Sequence, residues 1–509
     1  MDKIVILDFG SQYNQLIARR VREIGVYSEV VPFDKELDYF NDSSIKGIIL
    51  SGGPNSVYDE DSPKIDKQIF NLGVPVLGIC YGMQITQYLY NGKISPSKKR
   101  EYGKSTLNIV KSDVIFDNVK EISTVWMSHG DHVDSLSSDF HLIANTDSCF
   151  AAAKHNELNI YNLQFHPEVT HSEFGHVILH NFVIKICGAS ANWSLGNYID
   201  NTVASIKKTV GNKRVILALS GGVDSSVAAV LVHKAIGDQL TCIFVDTGLM
   251  RKDERIKVME TYGKNFHMNI KAVDAEDRFL DKLKGVKEPE QKRKIIGNEF
   301  IEVFNEEKYK FKDADFLAQG TIYPDVIEST SIKGPSSTIK SHHNVGGLPE
   351  EMEFELLEPL RELFKDEVRR VGIELGIPEE MVMRHPFPGP GLGIRVIEEV
   401  TKEKVRILQE ADDIFINELI KEGLYQETSQ AFVTLLPCKT VGVMGDNRTY
   451  EFVAAVRSVN TSDFMTASFS RLPFDFLDRV STMIINQVKG INRVVYDITS
   501  KPPGTIEWE

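Results

Sequence analysis

The feature that most limits the fold is a recurring unit: a short apolar run, a bend of small residues, then an amphipathic segment. Residues 4–7, 47–50 and 74–79 are such runs, and helical periodicity covers 12–24 and 83–90. Runs with no polar alternation must be covered on both faces, which predicts an open parallel α/β sheet with helices on both sides over residues 1–190. Residues 187–192 (CGASAN) are small and polar and read as a linker. A second series follows. It has strands at 214–219, 240–245, 270–273 and 314–318, with helices at 223–234 and 251–262. The charged segment 285–294 (GVKEPEQKRK) reads either as a solvated loop or as a mobile lid carrying Lys292 and Arg293. The proline- and glycine-dense run 384–395 closes this series. The remainder alternates helices at 403–421 and 474–489 with strands at 430–436, 452–456 and 493–498. The expected fold class is α/β, with two open parallel-sheet α/β domains (1–190 and 191–384) followed by a smaller α+β C-terminal domain (385–509).

A chain of 509 residues is too long for one core. Its 42% hydrophobic and 26% charged content is that of a soluble protein, and no apolar stretch reaches the ~18 to 20 residues needed to span a bilayer. The apolar start ends at Asp8 and reads as a strand, not a signal peptide. Five scattered cysteines without a CxxC fit a reducing cytoplasm and argue against a zinc ribbon. Lys and Arg number 58 against 72 Asp and Glu, a net charge of −14. That disfavours a nucleic-acid groove, whereas small anionic substrates need only local donors.

One candidate site centres on Gly78-Ile79-Cys80-Tyr81-Gly82, between a strand and a helix. The glycines allow a sharp turn, and a helix N-terminus beside the sulfur favours the thiolate. Cys80 is the candidate nucleophile. His166, in His166-Pro167-Glu168 at the end of another strand, is the candidate base, and Glu168 would orient it. Gly52 and Gly53 of Ser51-Gly52-Gly53-Pro54, with the amide of Tyr81, could form an oxyanion hole. Chemistry alone reaches a thiol acyl-transfer enzyme. These segments resemble the class I glutamine amidotransferase family. The resemblance implies release of ammonia from glutamine through a thioester, with Gln84, Ser128 and His129 helping to hold the substrate.

The second candidate site is the loop Ser220, Gly221, Gly222, Val223, Asp224, Ser225 and Ser226, again between a strand and a helix. Freed backbone N–H groups, serine hydroxyls and a helix N-terminus suit a phosphate, and Asp224 could hold magnesium. The loop lacks the G-K-[ST] ending of a Walker motif. It resembles the N-type ATP pyrophosphatase family, which splits ATP between the α and β phosphates. Val245 and Asp246, at the end of the next strand, would then line the adenosine pocket.

Both motifs on one chain, together with residues 320–329, 384–392 and 501–509, resemble the GMP synthetase family over essentially the whole length. That resemblance implies a ligase taking ATP with Mg2+, XMP and glutamine, cytoplasmic and homodimeric, with no nucleic-acid or membrane partner. It implies XMP contacts from Arg251, Lys501, Ile506 and Glu507, joined by Gln430 and by the loop of Arg384, His385, Pro388 and Gly389, where Arg384 and His385 supply two cations. Lys365 would meet the leaving pyrophosphate or else be a helix-surface lysine. A pyrophosphatase acting on tRNA fits the acidic charge poorly. A CTP synthase-like enzyme would need a different ATP site. A non-enzymatic nucleotide-binding regulator would have little use for intact motifs.

Overall fold

The protein is described by a computed structural model covering all residues except 12, 309, 312–313, 331–353, 445–446, 462–463 and 465; the side chains of 97–101, 327–330 and 444 are also outside the description. Residue 12, the expected start of the first helix, and the side chains at the end of segment 320–329 therefore lie outside the described residues. The chain forms two compact units, Met1–Tyr198 with Tyr323–Gly347 and Ile199–Ile322 with Leu348–Glu509.

In the first unit the strands β1 (Lys3–Asp8), β2 (Tyr27–Pro32), β3 (Ile45–Leu50), β4 (Val76–Ile79), β5 (Lys93–Ile109), β6 (Ile122–Ser135), β7 (Phe140–Asn145), β8 (Phe150–His155) and β9 (Ile160–Leu163) make one sheet. Its order is β2-β1-β3-β4-β9-β8-β7-β5-β6. The parallel half, β2 to β9, is built from the apolar runs, and the inner residues of β1, β4 and β9 are buried. Helices α1 (Asn14–Glu23) and α2 (Tyr81–Leu89) pack on it, and Leu7, Leu50, Val76, Met83 and Ile85 share its core. The other half, β5 to β8, is antiparallel. β6 alternates buried and exposed positions, as expected where one face of a ribbon meets water, so it carries no apolar run to announce it.

The second unit holds a five-stranded parallel sheet of β10 (Arg214–Ala218), β11 (Leu240–Asp246), β12 (Ile270–Asp274), β13 (Ala314–Ala318) and β14 (Glu355–Leu357), in the order β12-β11-β10-β13-β14. Helix α3 (Val223–Ile236) follows β10 directly. A third sheet contains β15 (Gln430–Met444), β16 (Asn447–Asn460), β17 (Ser468–Phe469) and β18 (Ile491–Asp497); β15 and β17 run antiparallel to β16, and β18 runs parallel to it. One continuous core joins Ile243, Leu249 and Phe279 near the parallel sheet to Leu408, Phe415, Val433, Val456 and Ile484 near the third, so both sheets belong to one unit.

Two local expectations are corrected. Segment 285–294 divides in two: 285–288 is a largely exposed turn, as a solvated loop would be, whereas from residue 289 it is the start of helix α4 (Pro289–Lys308), in which Lys292 has no exposed surface. Lys292 is drawn inward by Val396 and Glu509, distant in sequence, while Lys287, Glu288, Glu290 and Lys294 stay exposed. The expected helix 251–262 begins only at Glu254, after Asp253 with φ +57°, and turns into a wider helical turn at Met259–Asn265. Arg251 thus precedes the helix, on the turn that enters it.

Candidate active sites

β4 ends at Ile79 and α2 begins at Tyr81, so Cys80 alone makes the turn, with φ +50° and ψ −103°. A non-glycine residue in that region is strained and is held there by its surroundings. The Cys80 amide donates to Leu163 O at 2.7 Å, and the Gly82 amide donates to Ser51 O at 3.0 Å, tying the elbow to the ends of β9 and β3. His166 follows β9. Its amide donates to Trp126 O at 3.0 Å, and its carbonyl accepts from Ser172 Oγ at 2.6 Å. Its Nδ1 lies 2.6 Å from Glu168 Oε1, and both side chains are buried. Burial disfavours a charged imidazole here. The Glu168 carboxylate outweighs that, helped by hydrogen bonds to Cys80 and Glu168, and His166 is held well above the usual histidine range.

The sulfur also points toward Ser128 O (3.7 Å) and receives Gln164 Nε2 at 3.8 Å. A cleft of about 620 Å³ opens over it, lined by Ser11, Tyr13, Gly53, Cys80, Gln84, Ser128, His129 and His166 among others. Gln84 is fixed by its Nε2 donating to Asp131 O at 2.8 Å. A Cβ on Gly52 would lie 3.2 Å from His166 Cε1 and 3.7 Å from Cys80 Cβ, so the absence of a side chain there keeps space beside the reactive pair. The structure therefore brings together Gly52, Gly53, Cys80, Tyr81, Gln84, Ser128, His129, His166 and Glu168 in the first unit. The arrangement suits attack by a thiol that passes its proton to a carboxylate-oriented imidazole.

In the second unit, the loop between β10 and α3 turns through Gly221 at φ +76°, a conformation natural to glycine. Ser220 and Ser225 hydroxyls are 2.9 Å apart, Gly222 N donates to Ser220 Oγ at 3.3 Å, and Ser225 Oγ donates to Gly222 O at 3.0 Å. Val223 opens the helix, and Ser226 lies buried behind the loop, its amide donating to Gly222 O. Asp224 accepts from Lys365 Nζ through both oxygens, at 2.7 and 2.6 Å. Lys365 is the first residue of helix α5 (Lys365–Glu374), and its partly exposed side chain reaches the loop through this ion pair. Val245 is buried at the end of β11, and Asp246 Oδ1 accepts from Gly248 N at 3.1 Å.

Arg384 lies against this loop. It forms a two-pronged ion pair with buried Glu254, one contact measuring 2.7 Å, and reaches Gly221 O at 3.4 Å. His385 is not the second cation expected from the sequence. Its ring stacks on Tyr425 with centroids 3.7 Å apart, Nδ1 accepts from Ala431 N at 3.2 Å, and Nε2 donates to Tyr425 O at 2.9 Å. Burial pushes its pKa down to about 4, so it is a neutral pin. Arg251 donates to His385 O at 3.2 Å and lies over the Phe387 ring; burial, then repulsion from Arg384, lowers its pKa to about 10, and it stays charged at neutral pH.

Gln430 Nε2 donates to Glu507 Oε1 at 2.8 Å, and buried Arg395 grips the same carboxylate at 3.1 and 2.9 Å. Ile506 packs on Phe432 and Val459, while Lys501 reaches Phe464 O at 2.6 Å. Pro388 O accepts from Gly391 N at 2.8 Å, and nothing crowds Gly389.

Models of known families match three segments: "Glutamine amidotransferase class-I" over residues 5–186, "NAD synthase" over 195–299 and "GMP synthase C terminal domain" over 417–508. Relatives named glutamine-hydrolysing GMP synthase run nearly end to end. The one from Fusobacterium nucleatum subsp. nucleatum is 65% identical over 99% of both chains. Those from Mesoplasma florum and Brachyspira hyodysenteriae are 60% and 58% identical over 100% of this chain and 99% of theirs. This chain belongs to the glutamine-hydrolysing GMP synthase family.

Within this GMP synthase family member, several neighbours of the sites escaped the sequence reading. Tyr13 packs edge-on against His166 at 5.1 Å between ring centroids, and Gln164 touches the nucleophile. Glu254 and Arg395 organise the second unit's charges. Gln164 could have been found, because it lies two residues before His166 at the same strand end. Arg395 also carried a signal, a cation inside the apolar run GLGIRVI. Glu254 carried none, since its partner is 130 residues away.

Proposed function

We infer that this chain is an AMP-forming carbon–nitrogen ligase that makes GMP from XMP, ATP and glutamine, in purine nucleotide biosynthesis. The single observation that carries the reading is the coexistence, on a chain of this family, of an assembled Cys80–His166–Glu168 site and a glycine–serine phosphate loop. We divide the chain into an amidotransferase domain (1–190), an adenylating domain (191–384) and a C-terminal domain (385–509). The third would bind XMP and pair two chains. Exposed Val443 and Tyr450 on the β15–β16 hairpin support a dimer contact.

In the first site, glutamine enters the cleft with its side-chain carbonyl carbon at Cys80. The Cys80 thiol gives its proton to His166, the sulfur adds to that carbon, and backbone amides near Gly53 and Tyr81 receive the oxyanion. His166 returns the proton to the leaving nitrogen. Ammonia departs and a glutamyl thioester remains, which water cleaves to glutamate. Glu168 keeps the imidazole aligned and stabilises its charged form.

In the second site, the loop 220–226 holds the β and γ phosphates of ATP while the XMP C2 oxygen attacks the α phosphorus and expels pyrophosphate. Ammonia then adds at C2 and AMP leaves with that oxygen. The attacker must be neutral, because ammonium has no lone pair. Asp224 fits Mg2+ of the kind shared with phosphates. Among the described residues no set of three or more His, Cys, Asp or Glu could cage a metal, and magnesium commonly takes one or two carboxylates plus phosphate oxygens. Asp224 with the loop hydroxyls would hold the ion, which when bound neutralises charge on the departing pyrophosphate. Lys365, released from Asp224, would follow the same charge. Arg251, Arg384, Gln430, Lys501, Ile506 and Glu507 are assigned to XMP, with His385, Pro388 and Gly389 shaping the loop beside it.

No helix among the described residues is long and apolar enough to cross a membrane. The cytoplasm is the expected compartment, and no nucleic-acid partner is proposed. The test is product analysis with XMP, ATP, Mg2+ and amide-15N glutamine. Labelled GMP with stoichiometric AMP and pyrophosphate is expected. Glutamate and labelled ammonia without GMP would sink the proposal.

A further inference from the structure

Lys292 is among the least accessible charged groups in the molecule, and the chemistry above makes no use of it. It sits in the second turn of α4 with no exposed surface. Its Nζ donates to Val396 O at 2.8 Å and to Glu509 Oε2 at 2.5 Å. The same glutamate is held twice more: Arg293 donates to its backbone oxygen at 2.5 Å, and its Oε1 accepts from Glu398 N at 3.1 Å. A buried ammonium is costly unless paired, and burial does press its pKa down while Glu509 holds it up. A site of this cost needs a return elsewhere.

That return lies two residues along the chain. Glu507 faces Arg395 and Gln430, which together hold both its oxygens. The tail is also fixed upstream, where fully buried Arg457 donates to Thr499 O, Thr505 O and Ile506 O at 2.9, 2.9 and 3.0 Å. Glu507 therefore lies between two anchors, Arg457 before it and Lys292 after it. Val396, the other partner of Lys292, adjoins Arg395 in sequence. One ammonium thus braces both partners of the Arg395–Glu507 pair.

We propose that Lys292 is a positioning residue for the nucleotide acceptor: by clamping Glu509 and Val396 it fixes Glu507 opposite Arg395 and Gln430, and so sets the affinity for XMP. The inference rests on the assignment of Glu507 to XMP in the reading above. It gives Lys292, in a segment whose charge reads either as a solvated loop or as a lid, a positioning duty.

The test uses full-length Lys292→Met, Glu509→Gln and the double variant, with ammonium as nitrogen source so that the cysteine site is bypassed. Each single variant should raise KM for XMP about ten- to hundredfold, with KM for ATP within about twofold of the parent. The double variant should be no worse than the poorer single one, because both changes break the same contact. Glu509→Gln keeps the side chain's shape and serves if Lys292→Met folds poorly. Unchanged KM for XMP in folded variants would overturn the clamp. So would KM for ATP and XMP rising together as Tm falls, the mark of a merely structural lysine. If the parent protein itself showed no saturation with XMP, the acceptor reading would fail, and the clamp's role with it.

Discussion

The two reactive centres differ in what their charged groups face. Around Cys80 they face one another: Glu168 Oε1 lies 2.6 Å from His166 Nδ1, and Cys80 and His166 line one cleft. At the phosphate loop the charges are taken up by the protein itself, Asp224 by Lys365 and Arg384 by Glu254. A covalent nucleophile needs its geometry in advance. A polyanion site instead avoids bare like charges by storing them as ion pairs, which ATP and a metal would exchange in the proposed reading. The first site is set for chemistry, and the second is set for binding.

The largest effect should come from removing the nucleophile. Cys80→Ala is expected to cut glutamine-driven GMP formation by about 10⁴-fold or more while ammonium-driven synthesis stays within about twofold. Loss of both in a folded protein would erase the distinction between the centres. Asp224→Ala should lower both routes by about 10² to 10³-fold, yet leave alkylation of Cys80 by iodoacetamide unchanged. Altered alkylation would mean that the loop helps to build the cysteine site.

Glu168→Gln sharpens the idea of preassembly. It removes the strongest influence raising the His166 pKa, and glutamine turnover should fall about 10²-fold. The sign for stability follows from the same shift. A histidine whose folded pKa is raised stabilises the fold fully below its unfolded pKa, near 6.5, and that stabilisation is lost as pH rises through the folded value. The parent should therefore lose stability on the alkaline side through the His166 transition, and Glu168→Gln should lack that loss. Urea midpoints across pH would check this.

The one effect confined to stability concerns His385. Its folded pKa of about 4 lies below the ordinary 6.5, so the unfolded chain binds the extra proton first. Stability should fall by roughly 3 kcal/mol as pH drops through that window. His385→Gln should flatten this acid slope while lowering stability at neutral pH. A parallel slope in the variant would contradict the neutral-pin assignment.

What could be read from the sequence was local. The elbow at Cys80, the strand-ending His166-Pro167-Glu168 and the loop from Ser220 to Ser226 each pack their chemistry into a few consecutive residues beside an apolar run. The parallel strands were legible for the same reason. The antiparallel strands β5 to β8 were not, because half-exposed ribbons have no continuous apolar run. Lys292 and His385 were misjudged for a common cause. Whether a polar side chain is solvated or buried depends on partners such as Glu509 and Tyr425, which only the folded chain brings near. The pairing of Arg384 with Glu254 was hidden in the same way.

The central claim, that one centre frees ammonia while the other makes an oxygen leave as AMP, can be tested by following that oxygen. XMP labelled with 18O at C2 is turned over with ATP, Mg2+ and glutamine, and the phosphorus products are resolved by NMR. The account predicts one 18O in the phosphate of AMP, with pyrophosphate unlabelled. Label in orthophosphate, accompanied by ADP, would contradict it.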